Sequence, residues 1–299
     1  MKNKFRFSVA IVLGVCLYVA STFSQTAPPA ADIFLVDMKM RDSQVELGKP
    51  AQITEWKGYD NQPSFLPDGK SLLYTSIRDD GQADIYRYNI ADNTITRITQ
   101  TSESEFSPTT MPDGKHFSVV RVEPDSTQRL WKFPVTGGAS ALVLENVKPV
   151  GYHAWADANI AALFILGNPL TLQIADLRTG KAEIVAENIG RSLHKIPKQE
   201  AISFVHKVGE NEWLIKRLDL KTRTISTLVK TLPGSEDCAW TPQGILLMGQ
   251  DSKLFQCDPK KNDEWQDIAD FAGAGLKGIT RLAVSPKGET LAVVAISTR

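Results

Sequence analysis

The chain has 299 residues, 34 basic and 34 acidic side chains, and an ordinary globular composition of 42% hydrophobic and 23% charged residues. It carries no basic field, which excludes nucleic acid as a partner, because Lys and Arg neutralising phosphates supply that affinity.

At the N-terminus, Lys2, Lys4 and Arg6 precede an apolar core over residues 7–20, and Thr22-Phe23-Ser24 offers a small-residue cleavage site before Gln25. Residues 1–24 therefore read as a cleavable signal peptide, and the apolar core is too short to span a bilayer comfortably as an anchor. Cys16 follows Val15 rather than a small residue, which argues against a lipoprotein site. Leader removal deletes three cations and no acid, leaving a mature chain with three more acids than bases. No stable membrane span is expected after that removal, and the localisation implied is periplasmic or secreted. Residues 25–31, with Pro28-Pro29, form a short stiff linker.

The next apolar run is Ile33-Phe34-Leu35-Val36-Asp37, followed by a strand expected around Ala51-Gln52-Ile53-Thr54. Then comes a stretch that the chain keeps rewriting, Phe65-Leu66-Pro67-Asp68-Gly69-Lys70. Copies stand at Thr110-Met111-Pro112-Asp113-Gly114-Lys115, Trp155-Ala156-Asp157-Ala158-Asn159, Lys195-Ile196-Pro197-Lys198-Gln199, Trp240-Thr241-Pro242-Gln243-Gly244 and Val284-Ser285-Pro286-Lys287-Gly288. Taken at 67, 112, 157, 197, 242 and 286, the steps are 45, 45, 40, 45 and 44 residues. Pro presets φ at the second position of a type I turn, Asp tolerates the third, and Gly supplies the left-handed conformation that reverses the chain.

Each turn is followed by a β-branched or aromatic run, such as Ser71-Leu72-Leu73-Tyr74-Thr75 or Thr290-Leu291-Ala292-Val293-Val294, suited to a strand buried on both faces. A third run (Ile85-Tyr86-Arg87-Tyr88-Asn89 in the first repeat) and a fourth (Thr94-Ile95-Thr96-Arg97-Ile98) complete four strands per repeat. A period near 45 built from four short strands predicts an all-β fold, a six-bladed β-propeller. The sixth anchor has two strands before the chain stops, and residues 33–37 copy the third-strand pattern. The last blade is thus expected to be closed by N-terminal strands, which removes free sheet edges. The blades fall at about 58–101, 102–146, 147–188, 189–232, 233–275 and 276–299 plus 32–56, so residues 32–299 form one propeller.

The innermost strand of each blade lines the central channel with alternate residues. Counting back from the anchors gives one ring of Ser64, Thr109, Ala154, His194, Ala239 and Ala283, and another, nearer a mouth, of Gln62, Ser107, Tyr152, Ser192, Asp237 and Arg281. His153 falls on a packing position, where a one-residue slip would turn it into the channel. The candidate ligand-binding residues are His194, Asp237, Arg281, Tyr152, His153 and Gln62. Two His and a carboxylate are suitable ligands for zinc or manganese, but a hydrated polar channel is the better reading, and neither a metal nor a cofactor is expected. Asp237 and Arg281, on adjacent blades, are expected to pair across a seam.

Asp79-Asp80-Gly81 lacks the alternating oxygen ligands and distal Glu of a calcium loop and reads as a tight turn. No G-x-S-x-G elbow, H-E-x-x-H, P-loop or nucleotide fingerprint occurs, and no catalytic residue is assigned. Cys238 and Cys257, on strands of one blade separated by a third, stand roughly 9 to 10 Å apart from the usual strand spacing. They are expected to be free, buried thiols.

The segment from Gln62-Pro63-Ser64-Phe65 through Asp68-Gly69-Lys70, followed by Asp84-Ile85-Tyr86-Arg87-Tyr88-Asn89, resembles the repeat of TolB-type six-bladed propellers. Residues 106–115 resemble it nearly as well, and later repeats keep the period more than the residues. The resemblance implies a cell-envelope protein that holds a protein or peptide partner on one propeller face. Only residues 25–31 separate leader from first strand, so a stand-alone propeller without the family's preceding α/β domain is expected. The peptidase domain that follows related propellers is not expected either. The leading expectation is non-catalytic protein binding. The alternative is an enzyme, or a carbohydrate- or small-ligand-binding propeller, working in the channel.

Overall fold

The computed structural model describes residues 28–296, and the leader with its Cys16 and the first linker residues lie outside them. Among the described residues there are 24 strands and a single 3-10 turn at Ala272–Ala274. β1 (Ala31–Arg41) and β2 (Gln44–Gln52) form an antiparallel hairpin. β3 (Tyr59–Phe65), β4 (Ser71–Ile77), β5 (Ala83–Asn89) and β6 (Thr94–Arg97) form an antiparallel meander. A second four-stranded sheet follows in β7 (Ser104–Thr110), β8 (His116–Val122), β9 (Gln128–Pro134) and β10 (Ala141–Leu142).

The third sheet holds β11 (Val150–Trp155), β12 (Ile160–Ile165), β13 (Thr171–Asp176) and β14 (Lys181–Glu187). The fourth holds β15 (Ile189–Lys195), β16 (Ala201–Gly209), β17 (Glu212–Asp219) and β18 (Ile225–Lys230). β19 (Cys238–Trp240), β20 (Leu246–Gln250), β21 (Lys253–Cys257) and β22 (Gln266–Asp270) make the fifth. β23 (Arg281–Val284) pairs with β24 (Thr290–Ile296), and β24 pairs antiparallel with β1 from Ala31↔Ile296 to Asp37↔Thr290. A single parallel bridge, Ala31↔Tyr59, joins that group to the meander that starts at β3.

The rewritten turns do what their residues dictate. Gly69 sits at φ 68° and its N–H donates to Leu66 O at 2.9 Å, while Asp68 Oδ1 accepts from Lys70 N at 2.9 Å. Gly114 at φ 65° and Asp113 repeat the arrangement. In the worn fourth copy Lys198 takes φ 59° directly after Pro197, the place where a type II turn puts its positive φ. β4, β8 and β24 are buried on both faces, as their unbroken apolar runs require.

Six apolar clusters hold the molecule together, each shared by two neighbouring sheets. Val120 and Leu130 meet Trp155 and Leu163 in one; Ile33 and Val294 meet Phe65 and Tyr74 in another. The strands that begin each sheet touch in the order β3, β7, β11, β15, β19, β23 and back to β3.

One expected strand is displaced. The run around residues 51–54 is not a separate strand, because β1 continues to Arg41, reverses at Asp42 and Ser43 (φ 49° and 67°) and returns as β2. Two successive positive φ values are the twist-compatible hairpin geometry. Thr54 instead lies just past β2, with its Oγ1 accepting from Ile33 N at 2.9 Å.

Candidate functional site

The six strands β3, β7, β11, β15, β19 and β23 surround a central cavity of about 400 Å³. All six sequence candidates, Gln62, Tyr152, His153, His194, Asp237 and Arg281, are on its wall, together with Arg191 and Lys195. Their side chains divide into two groups by what they touch.

The first group is an ionic chain across the cavity. Asp237, at the entry to β19, accepts from Arg191 of β15, with Nη2 to Oδ2 at 2.5 Å and Nε to Oδ2 at 3.2 Å. Arg281 of β23 stands on the other side, its Nη1 3.5 Å from Asp237 Oδ1. Its Nη2 donates to Tyr152 Oη at 3.1 Å, and its Cζ lies 5.0 Å from the centre of the Tyr152 ring. Residues from the third, fourth, fifth and last sheets are thereby tied in one line. The expected partnership of Asp237 and Arg281 is thus the minor one: Asp237 has its close contact with Arg191, on the preceding sheet. Tyr59, at the start of β3, is within electrostatic reach of all four, and burial pushes its phenol up to about 12.

The second group is spent on latches between sheets. Gln62 was expected at the channel mouth, but it sits at φ 59° in a bulge between Asn61 and Ser64. That kink breaks the alternation and turns its amide into the seam, where Oε1 accepts from Ser107 N at 2.7 Å and Thr75 Oγ1 at 2.8 Å. Ser107 repeats the left-handed geometry at φ 54°.

His153 keeps its packing position. Its Nε2 is 2.6 Å from Ser118 Oγ, which also accepts Trp155 Nε1–H at 2.8 Å and donates to Thr109 O at 3.2 Å. With the hydroxyl hydrogen used on Thr109, the bond count assigns the ring proton to Nε2 and leaves Nδ1 a bare, buried acceptor. Burial holds His153 down to about 3. The latch recurs two sheets on, where Ser203 Oγ accepts Trp240 Nε1–H at 2.8 Å and donates to His194 O at 3.4 Å.

His194 faces the cavity with its Nε2 3.0 Å from Ser192 Oγ. Burial lowers it to about 4, Asp237 working against that shift and Arg281 with it. Cys238 and Cys257 are free and buried, and burial pushes the Cys238 thiol up to about 12. Among the described residues no group of three His, Cys, Asp or Glu side chains is placed to hold a metal ion.

The charged residues on the wall are Arg191, Arg281 and Asp237, joined in the ionic chain, and Lys195, whose Nζ donates to Ala156 O. Arg191 escaped the sequence reading. It lies one residue before Ser192, so strict counting by twos from the anchor sent it outward, whereas the pairing register of β15 with β16 shifts between Ile189 and Leu193. The recoverable signal was an Arg near the start of an inner strand, one repeat ahead of Asp237 as Arg281 is one repeat behind it.

Comparison with known proteins agrees with this architecture. Residues 19–149 match the family model of the TolB beta propeller domain. The fold superposes on a putative TolB from Agrobacterium tumefaciens with a TM-score of 0.71 at 16% identity, covering 91% of this chain and 100% of that one. TolB from Acinetobacter baumannii gives 0.58 at 12% identity, covering 90% of this chain and 64% of that one. An oligogalacturonate lyase in complex with manganese gives 0.53 at 13% identity, covering 91% and 99%. At such identities the superpositions speak for the fold alone. In sequence over residues 19–149, and in the course of its sheets along nine-tenths of its length, the chain is similar to TolB β-propellers.

Proposed function

We propose that the chain is a non-catalytic binding module of the cell envelope, a closed six-bladed propeller that holds a protein or peptide partner on one end face. The blade count is supported by the cyclic contacts of the six inner strands and the six seam clusters, and closure by the pairing of β1 with β24. Residues 32–299 are then a single domain behind a cleaved leader, exported to the periplasm or beyond. Among the described residues no helix is long and apolar enough to cross a membrane.

The observation that carries the reading is the state of the reactive groups. Asp237 is held between two guanidinium groups, burial keeps His194 neutral beside Ser192, and the Cys238 thiol stays protonated. A general base works near its own pKa, whereas burial holds His194 at about 4, and the Ser192 hydroxyl beside it also accepts the Cys238 N–H at 3.2 Å. These groups are arranged to hold shape. A rigid ring that presents loops in fixed places suits recognition.

The second reading, chemistry or carbohydrate binding in the channel, draws on the cavity itself and on the lyase among the structural relatives. Immobilised mature chain exposed to envelope extract separates the two. One saturable partner, retained equally by a His194→Ala variant, is the expected result. Turnover of a polysaccharide or peptide that His194→Ala abolishes would overturn the proposal.

A further inference from the structure

We infer that the central cavity is a receptor for a small carboxylate, with Arg281 as the anchoring cation. This inference does not depend on the partner reading above, because it concerns the interior of the ring rather than its end face.

The charge count comes first. Two guanidinium groups face one carboxylate on the wall, and that carboxylate is already committed: Arg191 takes Asp237 at 2.5 Å, leaving Arg281 at 3.5 Å. A guanidinium has five N–H donors. Among the described residues that of Arg281 makes one hydrogen bond, to Tyr152 Oη. Its side chain is only 16% exposed, so water cannot fully replace the missing acceptors. A half-buried cation in this state gains most from an acceptor that takes two parallel N–H bonds, and a carboxylate is planar and spaced for that fork.

Geometry supplies the rest. Tyr152 both stacks beneath the guanidinium and accepts its Nη2, so the fork is fixed before any ligand arrives and less freedom is lost on binding. Trp155 and Trp240 also stand on the wall, with their indole N–H groups consumed by Ser118 and Ser203. Trp155 is 6% exposed and packs into the seam cluster, so of the two rings it is the half-buried Trp240 that has apolar surface left for a ligand. About 400 Å³ falls within the range of roughly 300 to 1,000 Å³ typical of small-molecule sites. The ligand class is accordingly a compact acid with an apolar or ring-like body, either a free organic acid or the chain end of a short peptide.

Trp155 and Trp240 make occupancy readable by intrinsic fluorescence. Succinate and the dipeptide Ala-Phe represent the two sources; succinamide and Ala-Phe amide are their uncharged counterparts. At pH 7 at least one of the acids is expected to change the emission saturably and its amide to leave it unchanged, and which acid binds identifies the source. Arg281→Gln is expected to weaken that binding by about ten- to a hundredfold, the cost of losing a charge-assisted pair of hydrogen bonds. Arg281→Lys, which keeps the charge and loses the fork, is expected to fall between. The inference is overturned if neither acid binds, if the amides or sodium sulfate act equally well, or if a cooperatively melting Arg281→Gln binds as the native chain does. Partner capture by Arg281→Gln is scored separately, so failure of the carboxylate site is distinguishable from failure of the partner reading.

Discussion

His153 gives the sharpest quantitative test of the seam between the second and third sheets. Its folded-state value of about 3 lies well below the 6.5 of an exposed imidazole, and burial is the cause. Between those two values the unfolded chain binds a proton that the folded chain refuses. The associated stability is therefore complete above pH 6.5 and drains away as pH falls towards 3. Each pH unit inside that window is worth about 1.4 kcal/mol, so moving from pH 7 to pH 5 removes about 2 kcal/mol through this one side chain. Other groups titrate as well. Asp60, Asp84 and Glu105 are buried carboxyls held above their usual range, so acid acts on them in the opposite sense. The useful quantity is thus the difference between the native chain and His153→Gln, whose amide can still donate to Ser118. Urea unfolding followed by tryptophan fluorescence at pH 7 and pH 5 should show the native chain losing about 2 kcal/mol more than the variant. Equal losses in the two proteins would mean that the imidazole protonates inside the fold, and the latch as described would be wrong.

Three further outcomes follow from the same contacts. Asp237→Asn leaves Arg191 and Arg281 facing each other without a carboxylate, and it should destabilise the chain by about 3 kcal/mol in urea unfolding. Ser118→Ala strips hydrogen bonds from both Trp155 and His153, whereas Ser203→Ala strips one from Trp240. Each should lower stability by about 1 to 3 kcal/mol, Ser118→Ala the more, as read from paired thermal melts. Cys238 and Cys257, buried and held protonated (about 12 and about 11), should resist a thiol reagent in the folded chain and titrate as two groups in urea. Rapid native-state labelling of either would contradict their placement.

Sequence alone reached the strands because each repeat states its turn chemistry locally. Even the worn third copy keeps Asp157, whose Oδ1 accepts from Asn159 and Ile160 N–H as Asp113 does from Lys115 and His116. Periodicity of two then placed the cavity wall well enough to bring Tyr152, His194, Asp237 and Arg281 onto it. It failed where the inner strands are not regular. The left-handed residues Gln62 and Ser107 and the register shift before Leu193 each change the phase, which turned Gln62 into a seam and hid Arg191. The β1–β2 hairpin was missed for a related reason: its reversal uses Asp42-Ser43, with no glycine to announce two positive φ values. Partner choice within an ionic cluster is a matter of ångströms, and no pattern of letters distinguishes 2.5 from 3.5 Å.

The pairing of β1 with β24 has a mechanical corollary. Ala31 lies opposite Ile296, so the first strand begins where the last one finishes. A pull applied to the two tails would load that rung alone, then the next, peeling the ladder apart like a zip instead of shearing all seven rungs together. A chain tethered by either tail hangs from the same point on its rim. A tension that separates the tails should therefore part β1 from β24 at modest force, beginning at Ala31 and Ile296.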